Sequence, residues 1–339
     1  MPRQNKLIFD FASALDHLKS ETPLSASAVS ALSNATKPNL ASFAQTWVRL
    51  PVERRQHVAQ MLVDLAEKNI ELDYNVLFRY LLNDDDAAVR ALGIEGLWED
   101  EDAARVKPLI GFLCSDPDAR VRAAAADSLG RFMLLAEYGR LPQSPHADLI
   151  FEALFATVRG TAEDLDVRRR AVEALAYSSR DPVRDMIAAA YTDDDAEMRV
   201  SAVAAMGRSG DTYWRKTAAS ELDSPDPRMR FEAARAVGQL EYRAAVPHLI
   251  ELLDDPDREV QMVAVSALGQ IGGRSAKDAL TQLTESDDEV LRDLADEALQ
   301  ELQISSDPNF LLFDLDLDAE ADELAELDER DELEEESDE

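Results

Sequence analysis

Four histidines, one cysteine and several aspartate clusters are the residues of this chain whose types could support chemistry. His17, His57, His146 and His248 are scattered, with no spacing that would pair two of them as metal ligands. His248 lies between Pro247 and Leu249 in an apolar-periodic stretch and reads as a partly exposed structural histidine. Cys114 ends an apolar helix with no general base near it in sequence, so a core thiol is expected there rather than a nucleophile. Asp84-Asp-Asp86, Asp193-Asp-Asp195 and Asp254-Asp255 invite calcium. A calcium loop also needs a glycine turn and a distal bidentate glutamate, and neither follows at the right offset. Gly-x-Gly-x-x-Gly, phosphate-loop and Gly-x-Ser-x-Gly motifs are missing too. The residues point to no catalytic site, no metal and no cofactor.

The aspartate clusters take their meaning from a repeat. Seven anchors, Val89, Val121, Val167, Met198, Met229, Val260 and Leu291, follow one another at spacings of 32, 46, 31, 31, 31 and 31. Three residues before each stands an aspartate: Asp86, Asp118, Asp164, Asp195, Asp226, Asp257 and Asp288. The next residue after the anchor is arginine in every copy but one, where it is Gln261. Positions +4 and +7 are always small, and +8 is a larger aliphatic. Positions 0, +4, +7, +8 and +11 share one side of an α-helix, so each copy holds an amphipathic helix. Small residues there admit a neighbouring helix, and the aspartate at −3 is a natural N-cap. Upstream of each lies a second apolar-periodic stretch, such as Ala244-Ala-Val-Pro-His-Leu-Ile-Glu-Leu-Leu253. Every copy is therefore a helical hairpin that must stack on its neighbours to bury its apolar face.

The stretch Leu253-Asp-Asp-Pro-Asp-Arg-Glu-Val260, followed by Val265-Ser-Ala-Leu-Gly-Gln-Ile-Gly272, resembles the HEAT-like repeat family in its short, phycobilisome-lyase form. The resemblance runs from about Leu72 to Leu302 and implies an all-α fold, an α-solenoid of about seven HEAT-like hairpins. It is specific for fold and weak for function, since such repeats serve scaffolds, adaptors and a few enzymes. The deoxyhypusine hydroxylases hold two irons with paired His-Glu motifs; no histidine here is followed by glutamate, so the resemblance does not extend to that centre.

Three regions follow: an N-terminal helical cap at 1–71 with one divergent hairpin, the repeat array at 72–303, and an acidic tail at 304–339 expected to be disordered. The 46-residue spacing places an insertion near 131–145, as a loop or as a lengthened first helix. Residues 314–339 carry 16 acids and one base, −15 of a net charge of −34. That balance argues against non-specific nucleic-acid binding and against attraction to an anionic membrane. No apolar run approaches the ~20 residues of a membrane span. The first ten residues do not read as a secretory signal, and a single cysteine fits a reducing compartment. A cytoplasmic monomer is expected.

The function expected is a non-catalytic scaffold or adaptor binding a protein partner of unknown identity; second helices line the concave face in the family resembled. Positions +2, +6 and +10 should point out of those helices. From these rows come Arg169, Tyr177, Val200, Arg208, Phe231, Arg235 and Met262, with Val200, Phe231 and Met262 as an apolar stripe. A second candidate is the alternating tail segment, through Phe310, Leu312, Phe313, Leu315 and Leu317. The alternative is a phycobilin-lyase-like protein or chromophore chaperone, with a HEAT-type oxidoreductase behind it. If the stripe is a contact surface, Phe231→Ala weakens partner binding and leaves the helical melt unchanged. Unaltered affinity would make Phe231 a packing residue.

Overall fold

The computed structural model describes residues 9–141 and 145–305, and every regular element in them is a helix. The described residues fall into two compact units divided between Asp211 and Thr212, just past a turn where Gly210 takes a positive φ of 63°.

The first unit opens with α1 (Phe11–Lys19), α2 (Ala26–Ser30), α3 (Lys37–Trp47) and α4 (Val52–Lys68). Asp10 and Ser13 close a capping box that fixes the start of α1. Four hairpins follow: α5 (Asn75–Leu81) with α6 (Ala87–Glu95), α7 (Val106–Ser115) with α8 (Ala119–Glu137), α9 (His146–Arg159) with α10 (Leu165–Leu175), and α11 (Pro182–Tyr191) with α12 (Ala196–Arg208). The second unit pairs α13 (Arg215–Ser220) with α14 (Pro227–Gln239), α15 (Val246–Glu251) with α16 (Arg258–Ile271), and α17 (Gly273–Leu283) with α18 (Glu289–Ser305). Second helices stack in order, α4 on α6, α8, α10 and α12 in one unit and α14 on α16 and α18 in the other.

Every anchor is buried, from Val89 at 0% exposure to Met229 at 7%. The aspartates at −3 all accept hydrogen bonds from first-turn amides of their own helices, as expected of N-caps. In six of the seven copies the residue at +1 reaches back to the carbonyl six positions upstream, Arg90 to Asp84, Arg122 to Asp116, Arg199 to Asp193, Arg230 to Ser224 and Arg292 to Ser286 among them. Arg168 donates instead to the Val158 carbonyl, ten upstream, at 3.3 Å. Gln261, the one departure in that column, donates to the Asp255 carbonyl at 2.7 Å and keeps the bond. In three copies the arginine also bridges to a carboxylate of the next copy. Arg90 holds Asp116, Arg122 holds Glu163 and Arg230 holds Asp255, all with N–O distances of 2.7–2.9 Å.

The insertion is not a loop over its whole length. Residues 131–137 continue α8, and the turn at 138–141 follows; Gly139 there has φ 66°. Phe132, Met133 and Leu135 are buried along the extension, so lengthening the second helix of the copy covers more apolar surface than a loop would. The first helix of the next copy, α9, has 14 residues against ten in α7 and begins at His146, past the insertion. Cys114 is exposed rather than a core thiol. Val106, Leu109 and Leu113 take the buried stripe of α7, and the next position turns away from it. The tail candidates Phe310, Leu312, Phe313, Leu315 and Leu317 lie outside the described residues.

Stacking is close enough to exclude a methyl group. A Cβ at Gly130, nine past its anchor, would lie 3.0 Å from Ala174, at +7 in the next copy. Gly238 meets Ala267 and Gly269 meets Ala298 in the same register, at 3.0 and 2.9 Å. Gly111, by contrast, has nothing within 4 Å. Urea denaturation should therefore separate the two kinds of glycine. Gly130→Val is expected to lose about 1–3 kcal/mol through overpacking, while Gly111→Ala gains about 0.5–1 kcal/mol of helix propensity.

Candidate functional site

At about 100° per residue, positions −1, +2, +3 and +6 occupy one sector of a helix, well away from the anchors. On the second helices of the first unit that sector lines a groove of about 690 Å³. Its floor is made of small side chains, Ala88 and Ala91 from α6 with Ala123 and Ala124 from α8, and of Leu92. Gln60 and Glu67 of α4 border one side, and Asp166 and Arg170 of α10 the other. Trp98 stands at the rim with 46% of its surface exposed. Its position, +9, is glycine or alanine in the next five copies. Because α6 ends at Glu95, Trp98 falls beyond the helix, where bulk does not obstruct stacking.

The charges in the groove do not balance. Arg120 pairs with Asp118, the cap of its own helix, at 2.9 Å, and Arg170 pairs with Glu173 at 3.3 Å. Asp166 lies 3.5 Å from Arg169. Glu67, Glu95 and Asp127 make no ion pair or side-chain hydrogen bond among the described residues. Desolvation by the groove walls, with the charges of Asp127 and Glu67 added, holds the Glu95 pKa above the usual carboxylate value; Arg170 offsets this only in part.

Beside the groove, α10 and α12 enclose a carboxylate. Glu173 is 5% exposed, and its Oε1 accepts from Ser201 Oγ at 2.7 Å. Its Oε2 lies 3.2 Å from Arg208 and 3.3 Å from Arg170. Arg169 Nε donates to Ser201 Oγ at 3.0 Å, and the Arg208 guanidinium is 5.9 Å from the Tyr177 ring centroid. Arg169, Tyr177 and Arg208, predicted as contact residues, are thus gathered around a buried acid that the sequence reading passed over. A signal was available: position +6 is acidic in three successive copies, at Glu95, Asp127 and Glu173.

The apolar stripe is not an exposed one. Val200 is 7% exposed. In the second unit Phe231 and Met262 are half-buried. Arg235 sits over the Phe231 ring, 5.8 Å from its centroid, and pairs with Glu232. Asp84, first of the aspartate clusters, accepts from Trp47 Nε1 and from Arg55, both at 2.6 Å. Among the described residues no three His, Cys, Asp or Glu side chains converge on a point that could hold a metal ion. No described helix is long and apolar enough to cross a membrane.

A family model described as HEAT repeats matches residues 74–141 and 215–300. Both stretches fall on the helical hairpins, so the repeats of this chain are HEAT-like. The CpcE–CpcF complex of phycocyanin lyase from Nostoc sp. PCC7120 is similar at 22% identity, over 69% of this chain and 89% of that one, with a TM-score of 0.49. A designed armadillo repeat protein aligns at 20% identity over 58% of this chain and 99% of its own, with a TM-score of 0.35. Human deoxyhypusine hydroxylase in complex with glycerol aligns at 19% identity over 87% and 96%, with a TM-score of 0.30. No curated protein matches the sequence.

A carboxylate whose pKa is raised by folding makes the folded state favour its protonated form. The resulting stability is fully present below the unfolded pKa and is lost as pH rises through the folded one. Glu95→Gln should therefore raise the urea midpoint at pH 7 and leave it unchanged near pH 4, about the unfolded carboxylate value. An equal gain at both pH values would mean that repulsion among the groove acids is not the cause.

Proposed function

We propose that this chain is a non-catalytic scaffold that binds a protein partner in the groove of its first unit, acting as a monomer in the cytoplasm. One observation carries the reading: a long groove with a floor of alanines, an exposed tryptophan at its rim and carboxylates left without partners. Small floor residues let a partner backbone approach closely, and a large aromatic at the edge is the usual kind of anchor in protein contacts. The lining includes no histidine, cysteine, serine or lysine, which fits recognition better than group transfer. Stacked hairpins supply a rigid support for such a surface.

A photo-reactive phenylalanine analogue placed at Gln60 or Ala124, inside the groove, should cross-link one partner of defined mass from native lysate. The same analogue at Glu152, exposed on α9, should not. Adducts that form equally from all three positions, or only from Glu152, would remove the groove as the binding face.

A further inference from the structure

Resting on that reading of the groove, we propose that it selects a cationic amphipathic segment of its partner: lysine or arginine side chains spaced along one face, with small or aliphatic residues between them. The argument is one of charge left over. Both groove arginines are committed to carboxylates that do not line the groove, Arg120 to Asp118 and Arg170 to Glu173, and Asp166 is shared with Arg169. Glu67, Glu95 and Asp127 remain, contributed by three successive second helices, α4, α6 and α8. Desolvation chiefly, and then the charges of Asp127 and Glu67, raise the pKa of Glu95, and a positive occupant relieves the repulsion among the three.

The form of the occupant follows from how that charge is spread. No three described acids converge on one ion-sized point, so a single metal ion cannot satisfy them together. Cations distributed along a polypeptide can. Between the acids lie Ala91, Ala123 and Ala124, which leave room for aliphatic side chains, and Trp98 offers a ring face to an aliphatic or cationic one. An anionic occupant would add to the repulsion, which excludes the chain's own segment 314–339 with its net charge of −15.

The probe is a fluorescein-labelled peptide of about 14 residues, long enough as a helix to cross three stacked helices, built from lysine, alanine and leucine. Its counterpart carries glutamate for every lysine. Anisotropy titrations use the full chain, the triple variant Glu67→Gln/Glu95→Gln/Asp127→Asn, and a control triple of equal charge change in the second unit, Glu251→Gln/Asp278→Asn/Glu285→Gln. The lysine peptide should bind wild type and control alike and the groove triple at least about tenfold more weakly, with all three chains melting as folded proteins. Equal weakening in both triples would reduce the effect to attraction by a chain of net charge −34 and overturn the proposal. So would failure of the lysine peptide to bind wild type, or equal binding of the glutamate peptide. If the partner cross-linked at Gln60 and Ala124 is captured undiminished by the groove triple, the cationic assignment falls while the groove stands as a binding face.

Discussion

The constraint on which the rest of this structure depends is how near successive second helices come to one another. In three copies the glycine at +9 lies against the alanine at +7 of the next, with little room left for a methyl group. That approach requires the small residues at +4 and +7, and it aligns equivalent positions of adjacent copies. Because the helices are held in this register, a single position can build a continuous row across the array. The alanine floor of the groove, the acids at +6 and the buried Glu173 are all products of that alignment.

Polar contacts then fix what the packing brings together. Each aspartate cap satisfies amides at the start of a helix, and in six of the seven copies the +1 side chain satisfies a carbonyl in the turn before it. These bonds lie within a copy. The bridges from Arg90 to Asp116 and from Arg230 to Asp255 run between copies, with both carboxylates almost wholly buried. Buried pairs of this kind are costly to break one partner at a time, and they tie the slope of each hairpin to the next. Arginine in the repeat is therefore a structural column, while the arginines at other positions, Arg120, Arg169, Arg170 and Arg208, shape the groove and its border.

Periodicity made the fold legible because the same physical demand recurs seven times: a capped start, a buried anchor, a small face and a clasp. Features that occur once were harder to read. Trp98 is conspicuous only when α6 is known to stop at Glu95, since at +9 a large side chain would otherwise block stacking. Cys114 was misplaced because an apolar run does not reveal which side of its last turn faces inward. Val200 was taken for surface because +2 sits near the edge of the outward sector, where a neighbouring helix can cover it. The groove acids escaped notice for a different reason. Alone on its helix each is an ordinary acid, whereas the row that Glu95, Asp127 and Glu173 form across three helices stands out only when the +6 positions are aligned.

The clasp from +1 to the carbonyl six residues upstream, together with the cap at −3, has a consequence for how such a chain can change over generations. Both bonds open and close inside one 31-residue block, so a duplicated block arrives with its own polar closure already made. What it needs from a neighbour is only a face of small residues, and every existing copy presents one. Lengthening by whole blocks is thus neutral for the backbone bonding of the parent, whereas gaining or losing a residue between −5 and +1 breaks the cap or the clasp. The 32-residue spacing from Val89 to Val121 leaves both intact because its extra residue falls outside that stretch. The exact 31-residue spacing over the last five anchors is what inheritance by copying would leave behind.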